Sequence, residues 1–226
     1  MFAQTLMLNW KVARWPLLPF VLIAFGLPLL ALRMAASFTD AVVFAPGRAL
    51  LGALEIWTPF FPFLAFLCGA ACALSVWAWD HRANHVYALT LPLPRWKYVL
   101  LKLGAGALLV FIPAFAVLAG ALIGSSGLTL PDGLHAYPVT FAFRFLLAAM
   151  IAYAAIFALA AGTQRTTTLV LAGLVLFMIF GEIGAGYLND TLHTLLPAPF
   201  ELLEAALLRW PGPFNVYGGN WMLIDV

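Results

Sequence analysis

Long apolar runs, separated by short polar breaks, fill almost the whole chain. Five of them, at about 16–35, 50–79, 101–123, 139–161 and 168–188, are near or above the twenty or so residues that a helix needs to cross a bilayer. Ahead of the first run, residues 2–14 repeat every three to four positions. Phe2, Leu6, Trp10 and Ala13 share one helical face, while Gln4, Lys11 and Arg14 lie largely opposite. That pattern predicts a helix lying in the headgroup plane, with Pro16 opening the first span. Trp57 and Trp77 are twenty residues apart, about 30 Å of helix, and are expected at opposite interfaces of the second span. The third span carries Pro113 and a Gly120-x-x-x-Gly124 pair. In the fourth, Ala154, Ala158 and Gly162 form a small-residue ridge suited to helix contact. Thr163–Thr167 reads as a tight turn before the fifth span.

After the fifth span the pattern changes. Residues 197–209 read as a short helix with Glu201 and Glu204, ended by Pro211-Gly-Pro213. Trp221-Met-Leu-Ile then looks like an interfacial tryptophan opening a sixth span that is cut off. The expected fold is therefore one all-α polytopic membrane domain over residues 1–226. It has an N-terminal interfacial helix, five visible spans of an expected six, and a segment 189–226 outside the membrane on the far side.

The longest polar interval is Asp80–Lys102, DHRANHVYALTLPLPRWKYVLLK, between the second and third spans. Its middle, residues 81–91, reads as a short helix that Pro92 stops. Pro94 restarts a helix that runs directly into the third span, because proline suits a first helical turn and not an interior. A short helix joined to a span by a proline elbow is a good shape for docking a soluble partner.

Composition confirms the class: 65% of residues are hydrophobic and 9% charged, against about a quarter charged in soluble domains. Charge then sets the orientation. With the N-terminus inside, cytoplasmic segments hold seven Lys and Arg (Lys11, Arg14, Arg82, Arg95, Lys97, Lys102, Arg165) against Asp80. The other side holds four Arg against eight acids, Asp132 and Glu204 among them. The excess of cations places the N-terminus and the 80–102 segment in the cytoplasm.

Candidate chemistry is sparse. No lysine follows a glycine, so the phosphate-cradling P-loop pattern is absent, and neither His-Glu-x-x-His nor Gly-x-Ser-x-Gly occurs. His81 and His85 have the i,i+4 spacing of zinc ligands, but Asn84 stands where a general-base glutamate would be; a solvated helix face is the plainer reading, and no metal is expected. Cys68 and Cys72 share one helix face at a spacing poor for a disulfide and read as small packing residues. Glu55, Arg144 and Glu182 sit at comparable depth in the outer quarter of their spans. Each either snorkels to the interface or joins an Arg144–Glu182 (or Glu55) pair inside the bundle. Nothing in the chain suggests an enzyme or a nucleic-acid binder.

The 80–102 segment resembles that of type-2 ABC export permeases. An acid and Arg82 end the second span, a helix follows, and then Leu-Pro-Leu-Pro-Arg-Trp-Lys-Tyr leads to Lys102 in the third. Two features depart from the family pattern: Asn84 or His85 stands where a helix glycine is usual, and the sixth span is missing. The resemblance implies a six-span permease that works as a dimer with a second copy or a paralogue. ATP and Mg would be bound by a separate ABC ATPase subunit gripping the helix 81–91. In that scheme Asp80, Arg82, Val86, Tyr87 and Leu91 contact the ATPase. Pro92, Pro94, Arg95, Lys97 and Lys102 form the elbow and meet lipid headgroups. The implied location is the inner (plasma) membrane and the implied work is export. The alternative is a membrane protein independent of any ATPase, either a secondary transporter or an assembly scaffold.

Overall fold

A computed structural model of the chain describes residues 2–39, 46–82 and 94–162 apart from 129 and 132, short stretches between 165 and 176, and 207–225 apart from 208 and 210. Its elements are α1 (Phe2–Thr39), α2 (Pro46–Glu55), α3 (Phe60–Arg82), α4 (Arg95–Ser126), β1 (His135–Ala136), α5 (Pro138–Ala160), a 3₁₀ turn at Asn215–Tyr217 and β2 (Ile224–Asp225). The described residues contain four stretches long and apolar enough to cross a bilayer: Phe2–Ser37, Gly47–Arg82, Arg95–Ser126 and Pro138–Ala160. The chain is thus an all-α protein with the makings of several membrane passes. Most of the expected fifth span, 168–188, lies outside the described residues, as does most of the expected helix 197–209.

The chain divides into two compact units, Met1–Phe157 with Asn220–Val226, and Ala158–Gly219. In the second, residues 211–214 form a turn that leads into the 3₁₀ turn, and Phe214 and Tyr217 stack at 6.2 Å. The first holds the helices and their core.

Within the first unit the helices alternate in direction. A Cβ at Gly104 of α4 would lie 3.6 Å from the ring of Phe2, Gly120 lies against the Phe25 carbonyl, and Gly124 against Leu29 and Leu32, so α1 runs parallel to α4. Only glycine lets the α4 backbone come so close at position 120. α3 runs the other way: its Val76 packs on Gly106, and its Asp80 meets Lys102. α5 is parallel to α3, with Phe141 on Phe61 at 4.7 Å at one end and Phe157 on Trp77 at 5.2 Å at the other. Asp80, Lys102 and the start of α1 therefore share one end, here termed the near end. The last turns of α1, the start of α2, β1 and β2 share the far end.

Several expectations change. α1 is a single helix through Arg14 and Pro16, not an interfacial helix followed by a span. Its buried stripe, Asn9, Ala13, Leu17, Ala24, Pro28, Ala31 and Ala35, steps by three, four or seven residues straight across the expected boundary. Phe2 and Trp10 of the expected interfacial face are exposed. The second expected span, 50–79, is instead two helices joined by a turn at 56–59, where Thr58 N–H bonds the Glu55 carbonyl at 3.1 Å. Pro59 and Pro62 lack the amide hydrogens that would carry a helix through. Trp57 falls in that turn. Trp77 is buried inside the bundle beneath the Lys102 ammonium, not on the exposed surface expected of a belt residue.

The last expectation to change concerns the C-terminal segment. Trp221–Ile224 does not begin a helix. Ile224 and Asp225 pair antiparallel with Ala136 and His135, and Tyr137 N–H bonds the Leu223 carbonyl at 2.9 Å. Trp221, Leu223 and Ile224 are all buried. In α5 Ala148, Ala149 and Ala152 are among the small residues that pack inward; Ala154 and Ala158 are exposed. Gly69 is the reason, since any Cβ there would strike the Ala149 carbonyl and Ala152. Cys68 and Cys72 are buried free thiols in the same α3 face.

Candidate functional site

The near end holds a buried polar joint built from two i,i+4 pairs. Val76 and Asp80 lie one turn apart on α3, and Tyr98 and Lys102 one turn apart on α4, so each helix presents two groups to the other. The Lys102 ammonium donates to Asp80 Oδ2 at 2.7 Å and to the Val76 carbonyl at 2.9 Å. The Tyr98 hydroxyl donates to the carboxylate, 2.9 Å from both of its oxygens. The ammonium also sits over the rings of Trp77 at 4.6 Å and Tyr98 at 5.2 Å. Asp80 is 1% and Lys102 3% exposed.

Burial decides what this arrangement does. Two charges taken out of solvent repay their desolvation only when the geometry is good and further hydrogen bonds satisfy them. Here the carboxylate has an ammonium and a hydroxyl donor, and the ammonium has a carbonyl and two aromatic faces besides its partner. Removing either charge strands the other. The joint therefore fastens the last turn of α3 to the first turns of α4, on either side of the eleven-residue stretch 83–93 that links them in sequence.

α5 reaches the same place. The Tyr153 hydroxyl donates to the Leu103 carbonyl at 2.9 Å and approaches that of Lys102 at 3.4 Å. Tyr153 is buried, and its hydroxyl occupies the space that a side chain at Gly106 would need.

The structure sorts the expected site residues into three groups. Asp80 and Lys102, expected on an ATPase and on headgroups respectively, are brought together inside the bundle and offer no surface. Arg82, Pro94, Arg95 and Lys97 are exposed at the near end, and Lys97 lies 5.3 Å from the Trp96 ring centre. Val86, Tyr87, Leu91 and Pro92 lie outside the described residues, as does most of the expected helix 81–91. Its first two residues, His81 and Arg82, form the last turn of α3.

Of the expected intramembrane group, Arg144 and Glu55 are described. Arg144 donates to the Asn220 carbonyl and stacks over Trp221 at 4.7 Å. Glu55 is exposed at the end of α2, and Glu182 lies outside the described residues. The parts that Tyr98, Trp77 and Tyr153 play in this joint went unread in the sequence. One signal pointed to the joint: an acid at the end of one apolar run and a lysine just inside the next are each costly unpaired, and only a short link separates them.

Comparison with protein-family profiles, curated proteins and solved structures finds no match to the chain. The apolar helices mark it as an all-α membrane protein of several spans. Its most specific feature is the buried joint between two consecutive spans.

Proposed function

We propose that the chain is the membrane-spanning permease subunit of an ATP-driven exporter of the type-2 ABC kind. Its ATPase is a separate chain, binding ATP and Mg, that docks on the segment between α3 and α4. The observation that carries this reading is the Asp80–Lys102 joint. A force applied to a loosely anchored loop is absorbed by the loop. A force applied to residues 83–93 meets two helix ends locked together at 2.7 Å, and so moves α3 and α4 as one body.

The exposed cations support the same reading. Arg82, Arg95 and Lys97 lie at the near end, where the start of α1 also lies, and the excess of Lys and Arg favours a cytoplasmic near end. Arg82 is then free to meet an acidic rim on the ATPase, while Arg95 and Lys97 with Trp96 meet headgroups. The permease works as a dimer with a second copy or a paralogue in the inner (plasma) membrane.

The test is affinity purification of the tagged chain from its native membrane, with identification of any P-loop ATPase that accompanies it. Tyr87→Ala should weaken that association by about 1–3 kcal/mol, the range of an aromatic anchor at an interface, without loss of membrane insertion. An unchanged complex in Tyr87→Ala would remove the docking assignment. Purification without any ATPase would favour an ATPase-independent transporter or scaffold.

A further inference from the structure

The joint between α3 and α4 has a third member that the docking argument does not use. Tyr153 comes from α5, the next helix along the chain, and its hydroxyl ends on the carbonyl of Leu103, the residue after Lys102. That carbonyl belongs to the turn from which the Lys102 side chain departs. The hydroxyl end of the ring lies against the Gly106 backbone, where Val76 of α3 also packs. Sliding α5 along its axis therefore either breaks the hydroxyl–carbonyl bond or drags the Lys102 turn with it.

We infer that Tyr153 is a positioning residue through which α5 sets the Asp80–Lys102 pair. It holds the α4 turn at the height where the ammonium reaches both Asp80 and the Val76 carbonyl. The pair is thereby biased from two sides, by whatever acts on residues 83–93 and by the position of α5. The inference rests on the reading of the joint as the coupling element, and it gives α5 a route to that element.

Lysine footprinting tests it without any ATPase. Lys11 and Lys97 are the chain's other lysines, and both are exposed. With the protein in lipid nanodiscs, a small amine-acylating reagent should modify Lys97 quickly and Lys102 slowly, read by peptide mass spectrometry. Tyr153→Phe keeps the ring and loses only the hydroxyl, so the fold should persist. Its Lys102 should react about tenfold faster relative to Lys97, the scale expected when one buried hydrogen bond ceases to hold a local opening shut. Phe145→Leu loosens the α5 packing elsewhere and serves as the control for a merely structural role; it should leave the Lys102 ratio unchanged.

Equal protection of Lys102 in Tyr153→Phe and the parent protein would overturn the inference, and so would equal exposure in Phe145→Leu. Should Tyr153→Phe fail to fold, Gly106→Ala displaces the same hydroxyl and must expose Lys102 in the same way. A failed ATPase purification beside a positive footprint would remove the permease reading and leave the linkage standing; the opposite pair of results would do the reverse.

Discussion

Each end of the first unit places a cation over a tryptophan, at nearly the same distance: Lys102 over Trp77 at 4.6 Å and Arg144 over Trp221 at 4.7 Å. The settings differ. Lys102 is fully buried and bonded to a carboxylate and a carbonyl between two long helices. Arg144 is half-buried and holds a backbone carbonyl of the short segment that carries β2. The same pairing of cation and ring thus closes two different joints. At the near end it locks two spans, and losing it leaves a buried charge. At the far end it pins a strand of two residues, and losing it frees only that strand. A joint fit to pass force between helices is expected at the first place and not at the second.

The comparison is most easily broken at the near end. Lys102→Met should destabilise the protein by about 3–5 kcal/mol, because it leaves the Asp80 carboxylate buried without its cation. Chemical unfolding in detergent micelles reads the loss; a value under about 1 kcal/mol would mean that the pair is solvated. At the far end, Trp221→Ala should cost about 3 kcal/mol locally, as expected for a buried aromatic truncated to alanine. Hydrogen exchange separates the two joints. The Tyr137 amide, bonded to Leu223, should lose protection in Trp221→Ala while near-end amides of α4 keep theirs. Simultaneous loss at both ends would show that the joints are not independent. The smallest effect belongs to Tyr98→Phe, at about 1.5 kcal/mol, since Lys102 still holds the carboxylate when the hydroxyl is gone.

Proline punctuation and hydropathy made some of this fold legible. Pro94 is the N-cap of α4, and α5 runs Pro138–Ala160 against an expected 139–161. Both starts follow from a residue that suits a first turn and little else. The same rule misled at Pro16. There the helix-packing face continues through the proline, so tertiary contact with α4 overrides the local signal. Pro59 acted in the opposite sense, breaking a run whose hydropathy alone reads as one span. Hydropathy also misplaced Trp77 and Trp221, because a belt tryptophan and a buried one look alike until the neighbouring cation is known. The joint itself was hidden for a simple reason. Charge assigned Asp80 to an ATPase contact and Lys102 to lipid headgroups, and no periodicity reports that two charges at the edges of neighbouring spans face one another across a helix pair.

The account stands on Asp80 and Lys102 acting as one unit. A double-mutant cycle of Asp80→Asn, Lys102→Met and the double variant, unfolded in the same micelles, measures this directly. The account predicts that the double variant recovers much of the loss, with a coupling of about 2 kcal/mol or more. Losses that add to within about 0.5 kcal/mol would contradict it.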